Sequence, residues 1–156
     1  MNHRIRVAAI LIEDNKILLV KHVHPITGFE WWVPPGGGIE MTDENLYGCA
    51  IREAWEETGY HIETGEIVYI REFLDRENAT LNMEIFIKGN VIGGELTIKN
   101  IQGNGQDEFY IKEVRWIDRF ETEDMIIFPE VLKTDEFWMD IKSNNKFIKY
   151  LGRQEG

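Results

Sequence analysis

Cysteine occurs once, at Cys49, which excludes an internal disulfide and makes a reducing cytoplasm the expected location. Basic residues are also scarce: 17 Lys and Arg stand against 28 Asp and Glu, a formal net charge of -11. Such a chain lacks the basic stripe that displaces counterions from a nucleic-acid polymer, and it is unsuited to an anionic membrane surface. No apolar run approaches the roughly 20 residues that span a bilayer. No small-residue cleavage site follows the N-terminal MNHRIR, so a signal peptide is not expected either. Repeats, low-complexity runs and long linkers are missing, and one domain over residues 1–156 is expected, as monomer or homodimer. A small anionic substrate stays compatible with the acidity if a divalent cation reverses the potential locally.

What is present suffices for a core. The apolar fraction is 43% and the charged fraction 29%, and a chain of this size buries roughly 70% of its unfolded surface without needing a disulfide or structural metal. Residues 4–12 and 16–23 read as strands around a turn at Glu13-Asp14-Asn15. A short extended piece at 31–33 is stopped by Pro34-Pro35-Gly36-Gly37-Gly38, where proline fixes φ and the glycines permit close approach of a ligand. The pattern predicts a helix over about 43–58, with Thr42 or Asp43 as N-cap and Gly59 just past its end. Strands are expected at 66–74, 79–88, 95–99 and 111–117, a second helix at 129–142 and a short apolar segment at 147–151. The sum is an α/β mixture without the regular alternation of a doubly wound sheet.

The informative stretch is Gly36 to Tyr60. At about 100° per residue, Glu53, Glu56 and Glu57 share an arc of roughly 100°, while Tyr47, Ile51, Ala54 and Trp55 lie on the other side. That wheel predicts an apolar face packed on the core and an acidic face turned outward. The acidic arc is electrostatically costly: Glu53 and Glu57 are a like-charge i, i+4 pair in the half of the helix where the dipole disfavours anions. A solvated acidic face is one explanation. A site for Mg²⁺ or Mn²⁺, which take hard oxygen ligands, is the other, and the glycine-rich turn before the helix suits a metal–phosphate site. Arg52 stands four residues before Glu56 and can orient it.

The segment from Gly38 to Tyr60 resembles the Nudix signature, G-x5-E-x7-R-E-U-x-E-E-x-G-U with U a bulky aliphatic residue. Gly38, Glu44, Arg52, Glu53, Glu56, Glu57 and Gly59 fill every fixed position. The departures are Ala54 and Tyr60, both at packing positions, and Trp32-Val33-Pro34-Pro35-Gly36-Gly37 resembles the family's lead-in. The resemblance implies an α/β (α+β) Nudix fold, a mixed β-sheet sandwiched between helices with a loop-helix-loop catalytic box. It implies a Mg²⁺- or Mn²⁺-dependent hydrolase of a phosphoanhydride bond in a nucleotide-like small molecule. By the same resemblance Glu53, Glu56 and Glu57 are metal ligands, Glu53 alternatively orients or deprotonates the attacking water, and the Gly37 carbonyl is a further ligand. Arg52 and Glu44 have supporting roles. Many relatives add an acid from a loop beyond the box; of Asp107, Glu108 and Glu113, Glu108 is favoured because Gly103-Asn104-Gly105 precedes it. Gly37, Gly38, Trp32 and Glu108 are the expected substrate contacts.

Other residues read two ways. His22 and His24 are strand histidines or phosphate contacts; Phe29, Trp31 and Phe109 are core material or base-stacking groups; Lys21 and Arg71 are solvated or touch phosphate. Cys49 is read as a packing residue, having no basic partner nearby in sequence. Subgroup markers narrow the substrate. No proline occurs between Pro35 and Pro129, against the ADP-ribose and NADH types; residues 75–78 hold no tyrosine, against the dinucleoside-polyphosphate type; and 24–32 lack the arginines of the coenzyme A type. These absences weigh against those types without removing them; a compact domain with no accessory element fits a nucleoside triphosphate, or a nucleoside diphosphate linked to another moiety, with nucleotide-pool sanitation as a role. The alternative is a non-catalytic nucleotide sensor, against which the intact acids argue.

Overall fold

The structure, a computed structural model, describes residues 1–143 and 147–156. Its elements are β1 (Asn2–Glu13), β2 (Lys16–Val23), β3 (Glu30–Val33), β4 (Gly36–Gly38), α1 (Leu46–Thr58), β5 (Tyr60–Asp75), β6 (Thr80–Gly94), α2 (Asp107–Tyr110), β7 (Ile111–Asp118), α3 (Asp135–Lys142) and β8 (Lys149–Glu155). Among the described residues the strands form an 8-stranded sheet in the order β3-β2-β1-β6-β5-β8, with β4 added to β1 and β7 to β2. β1 runs parallel to β6 and antiparallel to β4, so the sheet is mixed.

Side-chain alternation along β1 divides the core. Val7, Ala9 and Leu11 point to α1, where they meet Cys49, Ala50 and Ala54. Ile10 points to the opposite face and joins Tyr69, Phe86, Phe137 and Trp138 beneath α3. The helices therefore cover opposite faces, as the resemblance implied. Among the described residues no helix is long and apolar enough to cross a membrane.

Several boundaries differ from those predicted. α1 starts at Leu46, capped by Asn45, whose side chain accepts a hydrogen bond from the Gly48 N–H at 2.9 Å. Asp43 is thereby left in the preceding loop. Gly59 closes the helix at φ 79, its N–H bonded to the Trp55 carbonyl at 3.0 Å. A Cβ there would collide with the Glu95 carbonyl. Gly36–Gly38, expected to end an extended run, is itself a strand. Residues 95–99 form no strand; Thr97 N–H bonds the Thr58 carbonyl at 2.9 Å and a 3-10 turn follows at Lys99–Ile101. The second helix is divided: a 3-10 turn at Glu130–Lys133, then α3, capped by the Thr134 hydroxyl. The tail is a strand, β8, parallel to β5.

The largest difference is the orientation of α1. Glu53 and Glu57 are 5% and 2% exposed, whereas Tyr47, Ile51 and Trp55 are 40%, 39% and 41% exposed. The helix is turned with two acids inward and an aromatic–aliphatic stripe outward.

Candidate active site

Small residues let α1 lie close to the sheet, and the acids that share its buried face end against β4. Glu57 Oε1 accepts a hydrogen bond from the Gly36 N–H at 3.0 Å. Glu53 Oε1 accepts from Arg52 Nη1 at 2.9 Å, while Glu53 Oε2 is buried without a hydrogen-bond partner among the described residues. The third carboxyl comes from far along the chain: oxygens of Glu53, Glu57 and Asp107 lie within 4.8 Å of one another.

Three carboxyls so close, with two of them buried, resist ionisation. Burial pushes the Glu57 pKa well above its ordinary value, and the charges of Glu53 and Asp107 add to this; the Gly36 N–H and Arg6 oppose it. Glu53 is raised by burial, held back by Arg52 and raised further by Glu56 and Asp107. Asp107 is raised by burial, with Arg6 and Arg4 opposing.

Arg52 organises the approach to the acids. Its Nε and Nη2 donate to Asp43 Oδ1 and Oδ2 at 2.8 and 2.9 Å, a bidentate pair. Its Nη1 also reaches Glu56 Oε2 at 3.2 Å, and its Nη2 reaches the Gly38 carbonyl at 3.1 Å. The hydrogen bond from Arg52 holds the Asp43 carboxyl down at about 2. Asp43, not Glu44, thus ties the loop to the helix; Glu44 is exposed and makes no hydrogen bond among the described residues.

β4 has no side chains, and the site depends on that. A Cβ on Gly37 would stand 2.5 Å from Glu53 Oε1, and one on Gly36 2.5 Å from the Val7 carbonyl. Beside β4 opens a cavity of about 670 Å³ whose lining includes Arg4, Arg6, Trp31, Glu53, Glu56 and Asp107. A second cavity of about 500 Å³ adjoins it, sharing Arg6, Trp31, Val33 and Gly37 and running on to Phe29 and Phe73.

Glu53, Glu56, Gly37 and Gly38 line one cavity and Arg52 bonds Glu53, Glu56 and the Gly38 carbonyl, with Glu56 on the cavity wall outside the trio of acids. Glu108 is not: it is exposed and its Oε2 accepts from the Gly103 N–H at 3.4 Å, while its neighbour Asp107 turns to the acids. The loop carries no periodicity that could choose between adjacent acids. Trp32 is also displaced from its expected place. It is 8% exposed in the core, flanked by Lys21 and Arg115, and Trp31 faces the cavities instead, with His22 and Phe29 stacked beside it at 5.2 and 5.7 Å. Arg71 is buried and donates to Glu84 at 2.8 Å. Cys49 is a buried packing residue, its thiol pushed up to about 12 by burial.

A NUDIX domain model matches residues 2–130. The chain belongs to the NUDIX family. Curated relatives include the human m7GpppN-mRNA hydrolase NUDT17, 38% identical over 41% of this chain and 20% of that protein. Another is mouse diphosphoinositol polyphosphate phosphohydrolase 2, 35% identical over 44% of this chain and 35% of that one. The chain thus spans between 20% and 35% of these relatives' length. A NUDIX hydrolase from Nitrosomonas europaea superposes with TM-score 0.67 at 22% identity, covering 88% of this chain and 89% of the other. The ORF135 protein of E. coli superposes at 0.62 with 23% identity over 92% and 93%. These structures share the NUDIX fold with this chain.

The donor set suits a hard divalent cation. It is made only of carboxylate oxygens, one of them buried with no hydrogen-bond partner among the described residues, and a positive charge would offset the burial that raises all three carboxyls and the repulsion that adds to it at Glu53 and Glu57.

Proposed function

We propose that this chain is a Mg²⁺- or Mn²⁺-dependent hydrolase that cleaves a phosphoanhydride bond in a nucleoside triphosphate, or in a nucleoside diphosphate joined to another group. The observation that carries this is the trio Glu53, Glu57 and Asp107, two of them buried and one half-buried, with Glu53 and Asp107 on the wall of an open cavity. Those three residues would hold the cation, which supplies charge neutralisation at the phosphoryl oxygens and acidifies water. Glu56 stands outside the trio, and Arg52 engages its Oε2, leaving the other oxygen to take a proton from water. Asp43 and the Gly38 carbonyl fix Arg52, and so fix both Glu53 and Glu56. The apolar second cavity offers room for the part of the substrate beyond the phosphates. The one cysteine, a buried thiol, suits the cytoplasm.

Two arginines and no lysine line the metal-side cavity among the described residues. That favours a short phosphate chain over an inositol ring carrying many phosphates. Incubating a panel of nucleotides with Mg²⁺ and separating the products tests the proposal. Glu57→Gln is expected to lower turnover at least about a hundredfold, on the order of 3 kcal/mol in barrier. Nucleotide binding without turnover of any of them would favour the non-catalytic sensor.

A further inference from the structure

Arg4 and Arg6 lie two residues apart on β1, so both side chains leave it on the face opposite Val7. β4 separates them from α1, with Gly38 paired to Arg6 and Gly37 paired to Val7. A Cβ on Gly38 would stand 3.1 Å from the Arg4 Nε and Nη2, just as one on Gly37 would strike Glu53. A strand without side chains thus brings guanidinium groups on one face and carboxylates on the other to a single cavity.

Neither arginine is fully engaged. Arg4 forms no hydrogen bond or ion pair among the described residues. Arg6 reaches Glu84 Oε2 through Nη1 at a long 3.4 Å, and its Nε is buried with no hydrogen-bond partner among the described residues. Two cations side by side with donors to spare, lining a cavity that also holds acids, suit an anion with several oxygens.

We propose that Arg4 and Arg6 together hold the second phosphoryl group of the substrate, across β4 from the acid cluster that serves the first, a role that rests on the hydrolase reading above. The site then requires at least two linked phosphates. Arg6 also lines the second cavity, so the chain of phosphates turns there and the remainder of the molecule follows it past Phe29 and Phe73.

The two functions of charge here can be separated by sign. An arginine beside the acid cluster weakens cation binding and strengthens phosphate binding. Purified wild-type protein, Arg4→Gln, Arg6→Gln and Arg6→Lys would be titrated with Mn²⁺ alone, followed by electron paramagnetic resonance. Each would then be titrated by calorimetry with imidodiphosphate and with orthophosphate, both in Mg²⁺. Arg4→Gln, at an exposed position without an ion pair among the described residues, is the decisive variant, because Arg6→Gln also frees Glu84 and can unsettle the fold. We expect Arg4→Gln to bind imidodiphosphate about tenfold more weakly, orthophosphate within about twofold of wild type, and Mn²⁺ more tightly. Arg6→Lys should fall between wild type and Arg6→Gln for imidodiphosphate. Unchanged imidodiphosphate affinity in Arg4→Gln, or Mn²⁺ and imidodiphosphate affinity falling together, would overturn the assignment. A wild-type protein that takes up no Mn²⁺ would instead overturn the hydrolase reading, and this assignment with it.

Discussion

Gly37 and Glu53 are fitted to each other: the space that a Cβ on Gly37 would occupy is taken by the Glu53 carboxyl, 2.5 Å from Oε1 and 2.7 Å from Cδ. The carboxyl is the end of a flexible side chain, so Gly37→Ala can be accommodated by turning it away from Glu57 and Asp107. The backbone need not move. Unfolding free energy without metal should change by less than about 1 kcal/mol, while Mn²⁺ affinity falls at least about tenfold, or ~1.4 kcal/mol. Urea denaturation and a Mn²⁺ titration on the same preparation measure both. Equal losses in the two would mean that the glycine serves the fold rather than the carboxyl.

Asp107 and Glu108 are adjacent acids with opposite surroundings. Asp107 faces Glu53 and Glu57, and Glu108 caps the Gly103 N–H from an exposed position. Asp107→Asn should reduce turnover about tenfold or more, corresponding to over ~1.4 kcal/mol. Glu108→Gln should stay within about twofold of wild type. Steady-state rates at saturating Mg²⁺ decide between them, and the reverse ranking would move the third carboxyl to Glu108.

Stability without metal should depend on pH in an unusual direction. In the folded chain burial raises Glu53 to about 7 and Glu57 well above an ordinary carboxyl. Between the unfolded pKa near 4.5 and those folded values, the folded state binds more protons. Its stability therefore falls as pH rises through that window. His22 works the other way, since burial lowers it to about 4, but its contribution is lost only as pH falls below 6.5. Comparing pH 6.5 with about pH 8.5 isolates the carboxyls, and the metal-free protein should lose on the order of 1 kcal/mol at the higher pH. Glu57→Gln should flatten the dependence, and saturating Mg²⁺ should abolish it. Thermal melts with and without a chelator measure the effect; greater stability at the higher pH in chelator would contradict the assigned burial.

The sequence pattern revealed the box because its chemistry is local: Arg52, Glu53, Glu56 and Glu57 lie within one and a half turns of a helix, and spacing alone sets their relative positions. It misjudged which side of α1 faces the core. A wheel treats carboxyls as solvent-seeking, and here Glu53 and Glu57 are buried while Tyr47, Ile51 and Trp55 stay outside. The useful signal was Cys49, Ala50 and Ala54, small residues that allow a helix to lie close to a sheet. Two prolines and three glycines suggest the end of an extended run, yet the glycines form a strand, β4, whose missing side chains admit acids from one face and arginines from the other. Asp107, Arg4 and Arg6 could not be placed by spacing, since they reach the site through loop and sheet contacts far apart in the chain.

The convergence of Glu53, Glu57 and Asp107 on one cation is tested most directly by anomalous diffraction from a crystal of the protein soaked in Mn²⁺. The predicted result is a peak about 2.1–2.2 Å from an oxygen of each of the three carboxylates. A peak held by Glu40, Glu44 or Glu108 instead, or full Mn²⁺ exposure with no peak at the trio, would contradict it.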